Sequence, residues 1–143
     1  MAKIKSTAAR RVTCVRPAGD AHQVVTVEGG EPRGHCKRPC SDCPWRKDSV
    51  GTFPAEAFRH SAPTAYDMSD RVFACHQAGT QKTRACAGFL LRGAEHHLSV
   101  RIGRMSGRYG DVVDGGHLLF ADYREMAEAN GVDPEDPVLA LCR

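Results

Sequence analysis

A C-x-x-C motif between two prolines is the feature that most constrains this chain. Cys40 and Cys43 lie in the segment PCSDCPWR, where Pro39 and Pro44 stiffen the turn on both sides. This spacing lets two thiolates of one tight turn face a single metal ion. The surrounding residues 31–48 show no helical or strand periodicity. Their shape must therefore come from something other than backbone pairing, and the motif predicts a pair of metal ligands.

Two isolated cysteines complete a candidate set of four ligands. Cys75 follows Cys43 after 31 intervening residues, and Cys86 follows after ten more. Four thiolates suit Zn²⁺ in tetrahedral geometry or an iron–sulfur cluster such as 4Fe-4S. Zinc is preferred because it is the commoner metal, and the cluster stays open because scattered single cysteines also occur in four-iron sites. The alternative without metal is that these are buried small residues or form one disulfide.

Five neighbours of these cysteines are further site candidates. Cys36, His35 and His76 are possible substitute ligands, and His76 is also a candidate hydrogen-bond donor to a ligand or a catalytic group. Trp45 and Arg46 directly follow the motif. We expect the indole of Trp45 to shield one face of the site and the guanidinium of Arg46 to offset thiolate charge.

The composition indicates a modest core that would gain from a metal. Hydrophobic residues make up 41% of the 143 residues, aromatic residues only 6%, and there are 14 glycines and 8 prolines. The seven cysteines are accompanied by no export signal and by no apolar run of membrane-spanning length. In a reducing cytoplasm, clustered cysteines are more often metal ligands or catalytic thiols than disulfides. We therefore expect a cytoplasmic metalloprotein without a membrane segment.

The local patterns predict a small irregular α+β domain, organised around a metal site of four cysteines. A basic arm or loosely held first strand is expected over residues 1–20, and one domain over residues 21–143. The domain should contain a few short strands and three or four short helices. The strands are predicted at residues 23–28 and 71–76, and the helices at about 52–61, 83–95 and 117–130.

The charge is distributed unevenly along the chain. Residues 1–47 hold ten Lys or Arg and four Asp or Glu, whereas residues 111–143 hold two and eight. A basic front of this kind can contact nucleic acid or an acidic protein surface, or it can simply attract the acidic end of the same chain. The candidate nucleic-acid contacts are Lys3, Lys5, Arg10, Arg11, Lys37 and Arg38.

No complete catalytic constellation is visible in the sequence. A thioredoxin-type dithiol needs a hydrophobic strand before the C-x-x-C, and EPRGHCKRP cannot be that strand. The glutamate motif of zinc deaminases and a phosphate-binding Gly-Lys-Ser/Thr pattern are both missing. The sequence therefore favours a binding protein over an enzyme, although it leaves the question open.

Several segments carry a resemblance to a family of short phage and bacterial proteins of unknown function. They are PCSDCPWRKD, GTFPAEAF, FACH, CAGFLLRG and YREMAEANGV, which together span about residues 36–132. The resemblance implies that Cys40, Cys43, Cys75, His76 and Cys86 share one site. It also suits a phage-encoded factor in the host cytoplasm. The prediction is a non-enzymatic, metal-stabilised protein acting on nucleic acid or host nucleic-acid machinery, and the alternative is an iron–sulfur redox regulator or enzyme component.

Overall fold

The structure is a computed structural model that describes residues 11–28, 34–78 and 83–143. Its first element is an antiparallel hairpin of β1 (Arg11–Pro17) and β2 (Gln23–Glu28). Their β-branched residues favour strands, and Gly19, with φ +78°, allows the turn between them. The strand predicted at residues 23–28 is confirmed. Of the predicted basic arm, residues 11–17 form β1, and residues 1–10 lie outside the described part.

A second small sheet joins three distant segments of the chain. β3 (Gly34–His35) pairs in parallel with β4 (Arg84–Ala85), and Ala74 forms an antiparallel bridge to Ala85. The strand predicted at residues 71–76 is reduced to this bridge. The helix predicted at residues 83–95 begins with β4 instead, because these backbone groups are used in pairing, and continues into a π-helix, Phe89–Gly93.

The remaining elements are short helices. These are α1 (Ala55–Ser61), α2 (Leu98–Met105) and α3 (Tyr123–Ala129), with 3₁₀ turns at Lys47–Ser49, Ala62–Ala65, His76–Ala78 and Pro137–Leu139. The helix predicted at residues 52–61 starts after Pro54, which occupies the position before its first turn. The fold is thus α+β with few short strands, as predicted.

α3 shows how local signals and tertiary contacts set a helix boundary. Asp122 caps the helix by accepting from the Glu125 amide at 2.8 Å, and Gly131, with φ +97°, ends it. The helix was predicted to begin at residue 117. It begins six residues later because the Lys47 amide donates to the Leu118 carbonyl at 2.9 Å, which holds this stretch extended beside the C-x-x-C segment.

The core is built around Trp45. Its indole is fully buried and packs against the rings of Phe73, Phe89 and Tyr123, with centroids 6.0 to 6.5 Å away. The Tyr123 hydroxyl donates to the Phe58 carbonyl at 2.6 Å and so ties α3 to α1. Because Trp45 follows the C-x-x-C motif by two positions, this core lies directly beside the motif. No helix among the described residues has the length and hydropathy needed to cross a bilayer.

Candidate metal centre

Backbone pairing fixes the positions of three cysteines. The amide of Cys36 donates to the Ala85 carbonyl at 3.0 Å, that of Cys75 to Arg84 at 2.8 Å, and that of Cys86 to Phe73 at 2.9 Å. β4 supplies the acceptor in the first two contacts, and Cys86 directly follows β4, which is bordered by β3 on one side and by the Ala74 bridge on the other. Three cysteines from distant parts of the sequence are therefore held around one short strand.

The C-x-x-C segment forms two consecutive tight turns. The Cys43 amide donates to the Cys40 carbonyl at 3.2 Å, and the Arg46 amide donates to the Cys43 carbonyl at 3.0 Å. The Arg46 guanidinium donates to the Cys40 carbonyl at 3.1 Å and pairs with both carboxylate oxygens of Asp48. Arg46 thus stiffens the turn that carries Cys40 and Cys43.

The thiols of five cysteines contact one another in a row, which we call the thiol row. Its order is Cys36, Cys75, Cys40, Cys43 and Cys86. At the buried end, the Cys43 and Cys86 Sγ atoms lie 3.6 Å apart. All four predicted ligands therefore belong to the row. Cys36, predicted as a substitute, extends the row at its more exposed end.

Burial and mutual contact raise the pKa values of these thiols. The contact with Cys43 raises the pKa of Cys40 to about 11, and burial raises that of Cys36 to about 11. The contact with Cys40 lowers the pKa of Cys43, but its contact with Cys86 and its burial raise it by more, to about 12. The contact with Cys40 and burial also raise the pKa of Cys75. A bound cation would instead lower the pKa values of these thiols, because it favours the thiolate form.

His76 borders the row and is oriented by a carboxylate. Its Nδ1 lies 3.9 Å from Cys40 Sγ, and its Nε2 lies 2.9 Å from Asp42 Oδ1. Donor atoms of Cys40, Asp42 and His76 all lie within 4.8 Å of one another, so this group could hold a metal ion. A histidine that offers one ring nitrogen to a site while a carboxylate holds the other is a common arrangement around metals.

Asp42 belongs to this group but was not among the predicted site residues. Its only sequence signal is its place inside the C-x-x-C motif, which predicts proximity to the thiols but not a histidine partner 34 positions away. The Gln77 side chain also donates to Asp42 Oδ1, at 2.5 Å. The carboxylate is thus fixed by two residues of the Cys75 segment. Desolvation raises the pKa of Asp42, but the charge and hydrogen bond of His76 lower it by more.

Trp45 contacts the chain that carries Cys86 through two glycines. A Cβ on Gly88 would lie 2.4 Å from Trp45 Cβ, and a Cβ on Gly93 would lie 2.4 Å from Trp45 Cη2. These glycines stand at the two ends of the π-helix, so the indole lies along that helix. Trp45 therefore packs the segment of Cys43 against the segment of Cys86.

The other predicted residues lie away from the thiol row or outside the described part. His35 Nε2 pairs with Asp111 Oδ1 at 2.8 Å, and its ring packs on Tyr109. Cys14 lies on β1, and the Cys142 thiol contacts the carbonyls of Ala62 and Val138.

Three of the six basic candidates, Arg11, Lys37 and Arg38, lie in the described part of the chain and are exposed there. Arg11 begins β1, the Lys37 ammonium lies 3.9 Å from Asp111 Oδ2, and Arg38 is near Gly115. Lys3, Lys5 and Arg10 fall outside the described residues.

The donors in the thiol row match the chemistry of soft metal ions. Several thiols lie close together with one imidazole at their edge, and thiolate with imidazole is the preferred donor set of zinc and of iron–sulfur clusters. The chemistry of its donors therefore fits the site to a metal, and it suits both zinc and an iron–sulfur cluster.

Comparisons with known proteins place the chain in a family without assigning it an activity. No curated protein and no solved structure matches the chain. The model of a family of unknown function, DUF6283, matches residues 35–143, which include the whole thiol row, His76 and the core around Trp45. Because the match covers about three quarters of its length, the chain belongs to the DUF6283 family.

Proposed function

We propose that this protein is a non-enzymatic binding protein whose fold is held together by one metal ion, with zinc as the preferred ion. Cys40, Cys43, Cys75 and Cys86 are the proposed ligands. The observation that carries the proposal is that these thiols, which come from three separate segments, contact one another pairwise in one row. The ion would link these segments, which share little regular secondary structure.

The distance at the buried end of the row supports a tetrahedral ion. Zinc–sulfur bonds of about 2.3 Å in tetrahedral geometry place the sulfurs about 3.8 Å apart. The Sγ atoms of Cys43 and Cys86 are 3.6 Å apart. This pair is thus close to the spacing that one edge of a zinc–tetrathiolate unit requires.

Burial supports a structural role for the ion. Cys43 and Cys86 are 0% and 3% exposed and belong to the hydrophobic core with Trp45 and Phe89. A substrate needs an open coordination position, and a position enclosed by the core offers none. In a chain with so modest a core, a metal contributes folding free energy directly.

A 4Fe-4S cluster is the second candidate, and the shape of the row favours it. The contacts pass from one thiol to the next, and they include a fifth cysteine, Cys36. A cluster spreads its ligands more widely than a single ion does, because each cysteine binds a different iron. Such a protein would act in redox sensing or within a redox or nucleic-acid enzyme.

Metal analysis with an absorption spectrum tests both candidates. Protein purified without air should be colourless and contain about one zinc per chain, and removal of the zinc by a chelator should unfold it. A brown protein absorbing near 400 nm with iron and sulfide would replace zinc by the cluster. Protein that contains neither metal, and whose melting temperature a chelator leaves unchanged, would refute the metal proposal.

Nucleic acid is the proposed partner, with a host nucleic-acid-binding protein as the alternative. The support is the basic balance of residues 1–47 and the exposure of Arg11, Lys37 and Arg38. Fluorescence anisotropy with labelled DNA and RNA should show binding that weakens steeply as salt is added, because basic contacts release counterions. Absence of binding at low salt would remove nucleic acid and leave a protein partner. Either interaction is proposed to occur in the cytoplasm, of the bacterial host if the protein is phage-encoded.

A further inference from the structure

A cavity separates the β2 strand from the body of the protein. Its volume is about 750 Å³, within the range of about 300–1,000 Å³ that is usual for sites binding small molecules. One wall is formed by β2, and the opposite wall by Phe58 of α1 and by the segment around Phe73. The cavity adjoins the thiol row, since Cys75 and its neighbour His76 are among the lining residues.

The walls of the cavity are mainly apolar. The valines of β2 line the cavity and are half-buried, and the small side chain of Ala57 of α1 also lines it. Asp70 and Arg71 also line the cavity, and both are exposed residues of opposite charge. The cavity therefore suits a molecule with an apolar body and no net charge.

A buried hydroxyl without a partner supplies the polar contact. Thr83 is 7% exposed and lines the cavity, and among the described residues its Oγ1 has no hydrogen-bond partner. Buried hydroxyls are nearly always hydrogen-bonded, since an unpaired one loses its bonds to water without compensation. A bound molecule that carries a hydrogen-bonding group would satisfy Thr83.

We propose that this cavity binds a small uncharged molecule with an aromatic or branched aliphatic body and one hydroxyl, carbonyl or amide group. The apolar body contacts Phe58 and Phe73, and the polar group pairs with the Thr83 hydroxyl. Because Cys75 and His76 line the cavity, the molecule lies beside the thiol row. Binding of the molecule can therefore affect the metal-binding segment. The binding itself does not depend on which metal is present.

Two probes that differ by one hydroxyl test this proposal. p-Cresol and toluene are titrated into ¹⁵N-labelled full-length protein, and amide shifts are followed by NMR. We expect saturable shifts for residues of β2, α1 and Phe73 with both probes, with p-cresol binding roughly tenfold more tightly because it can pair with Thr83. Shifts confined to the exposed apolar residues of α2, or no saturable shift, would overturn the proposal.

Thr83→Val is the decisive variant because valine keeps the shape and removes only the hydroxyl. It should abolish the preference for p-cresol over toluene without lowering the melting temperature. Thr52→Val, at an exposed position outside the cavity, should leave the preference unchanged. Ala57→Leu should weaken binding of both probes by filling the space. An unchanged preference in Thr83→Val would refute the role of the hydroxyl.

The metal content of each variant is measured in the same samples. Probe binding with no metal in the protein would separate the cavity from the proposed metal centre, and would support the cavity while refuting the centre. A normal metal content with no probe binding would support the metal centre and refute the cavity.

Discussion

The Sγ atoms of Cys43 and Cys86 lie 3.6 Å apart although the two residues are 43 positions apart in the sequence. One belongs to a tight turn and the other follows a two-residue strand, so neither segment has a regular element long enough to position the other. The contact is buried against Trp45 in the same core. Substitutions at this buried contact of Cys43, Cys86 and Trp45 should therefore have strong effects.

Replacement of Cys43 by serine should remove a metal ligand from the buried end of the row. We expect loss of the bound metal and a fall in the free energy of unfolding of at least about 3 kcal/mol, because metal binding and folding are coupled. Metal analysis and thermal melting measure both effects. Cys14→Ser, on the exposed β1 strand, is the matched control and should change neither. A Cys43 variant with normal metal content would remove this residue from the site.

Gly88→Ala should destabilise the protein because the new methyl group would overlap Trp45. The Cβ would lie 2.4 Å from Trp45 Cβ, so the indole or the π-helix has to move. Overpacking of this kind costs about 1–3 kcal/mol, measurable by denaturant unfolding. Gly34→Ala is the control, since the nearest atom to its Cβ would be 4.0 Å away. Equal stabilities of the two variants would contradict the packing of Trp45 along the π-helix.

Tyr123→Phe should loosen the connection between α3 and α1. The Tyr123 hydroxyl donates to the buried Phe58 carbonyl and lies 2.6 Å from Ser61 Oγ. Its removal takes away one buried hydrogen bond, while the Phe58 carbonyl keeps the Ala62 amide as a donor, so the expected loss of unfolding free energy is about 0.5–1.5 kcal/mol. Chemical denaturation should show this loss, while Tyr109→Phe at a half-exposed position should be nearly neutral. A neutral Tyr123 variant would show that water replaces the hydroxyl.

His97 should make the protein less stable in mild acid. Burial lowers the pKa of His97, so the folded protein keeps this ring neutral where the unfolded chain takes up a proton. Stability should therefore be unaffected at neutral pH and decline as the pH falls below about 6.5, the ordinary pKa of histidine.

The comparison of His97→Gln with wild type isolates this effect from acid release of a metal, because the metal contribution is common to both. The variant should lose less unfolding free energy than wild type between about pH 7 and pH 5. His117→Gln, at a half-exposed position, should follow wild type. Identical pH profiles for His97→Gln and wild type would contradict a neutral buried His97.

Local sequence signals predicted the elements that depend on local physics. The richness of QVVTVE in β-branched residues predicted β2, and the helical spacing that ends before Gly131 predicted the end of α3, although not its start at Tyr123. The C-x-x-C spacing likewise brought Cys40 and Cys43 together, because the turn itself is local. These features require no knowledge of distant segments.

Pairing between distant segments explains what the sequence could not predict. The residues after Thr83 have helical periodicity, but Arg84 and Ala85 pair with β3 and Ala74. The first residues of the predicted helix therefore form a strand. Similarly, the contact of Asp42 with His76 depends on two loops that meet only in the folded chain. The close approach of Gly88 to the indole of Trp45 likewise depends on two segments that meet only in the folded chain.

The central position of β4 has a consequence for the order of folding. Ala85 accepts from Cys36, Arg84 accepts from Cys75, and the bridge at Ala74 pairs with the same two-residue strand. The short loop between Cys75 and Arg84 closes locally, but the contact of Cys36 with Ala85 closes a loop of about 50 residues, and such a closure is slow compared with local turns. During synthesis the C-x-x-C turn emerges before Cys75 and Cys86, so its thiols lack these two partners until then. The site is completed only when residue 86 has left the ribosome.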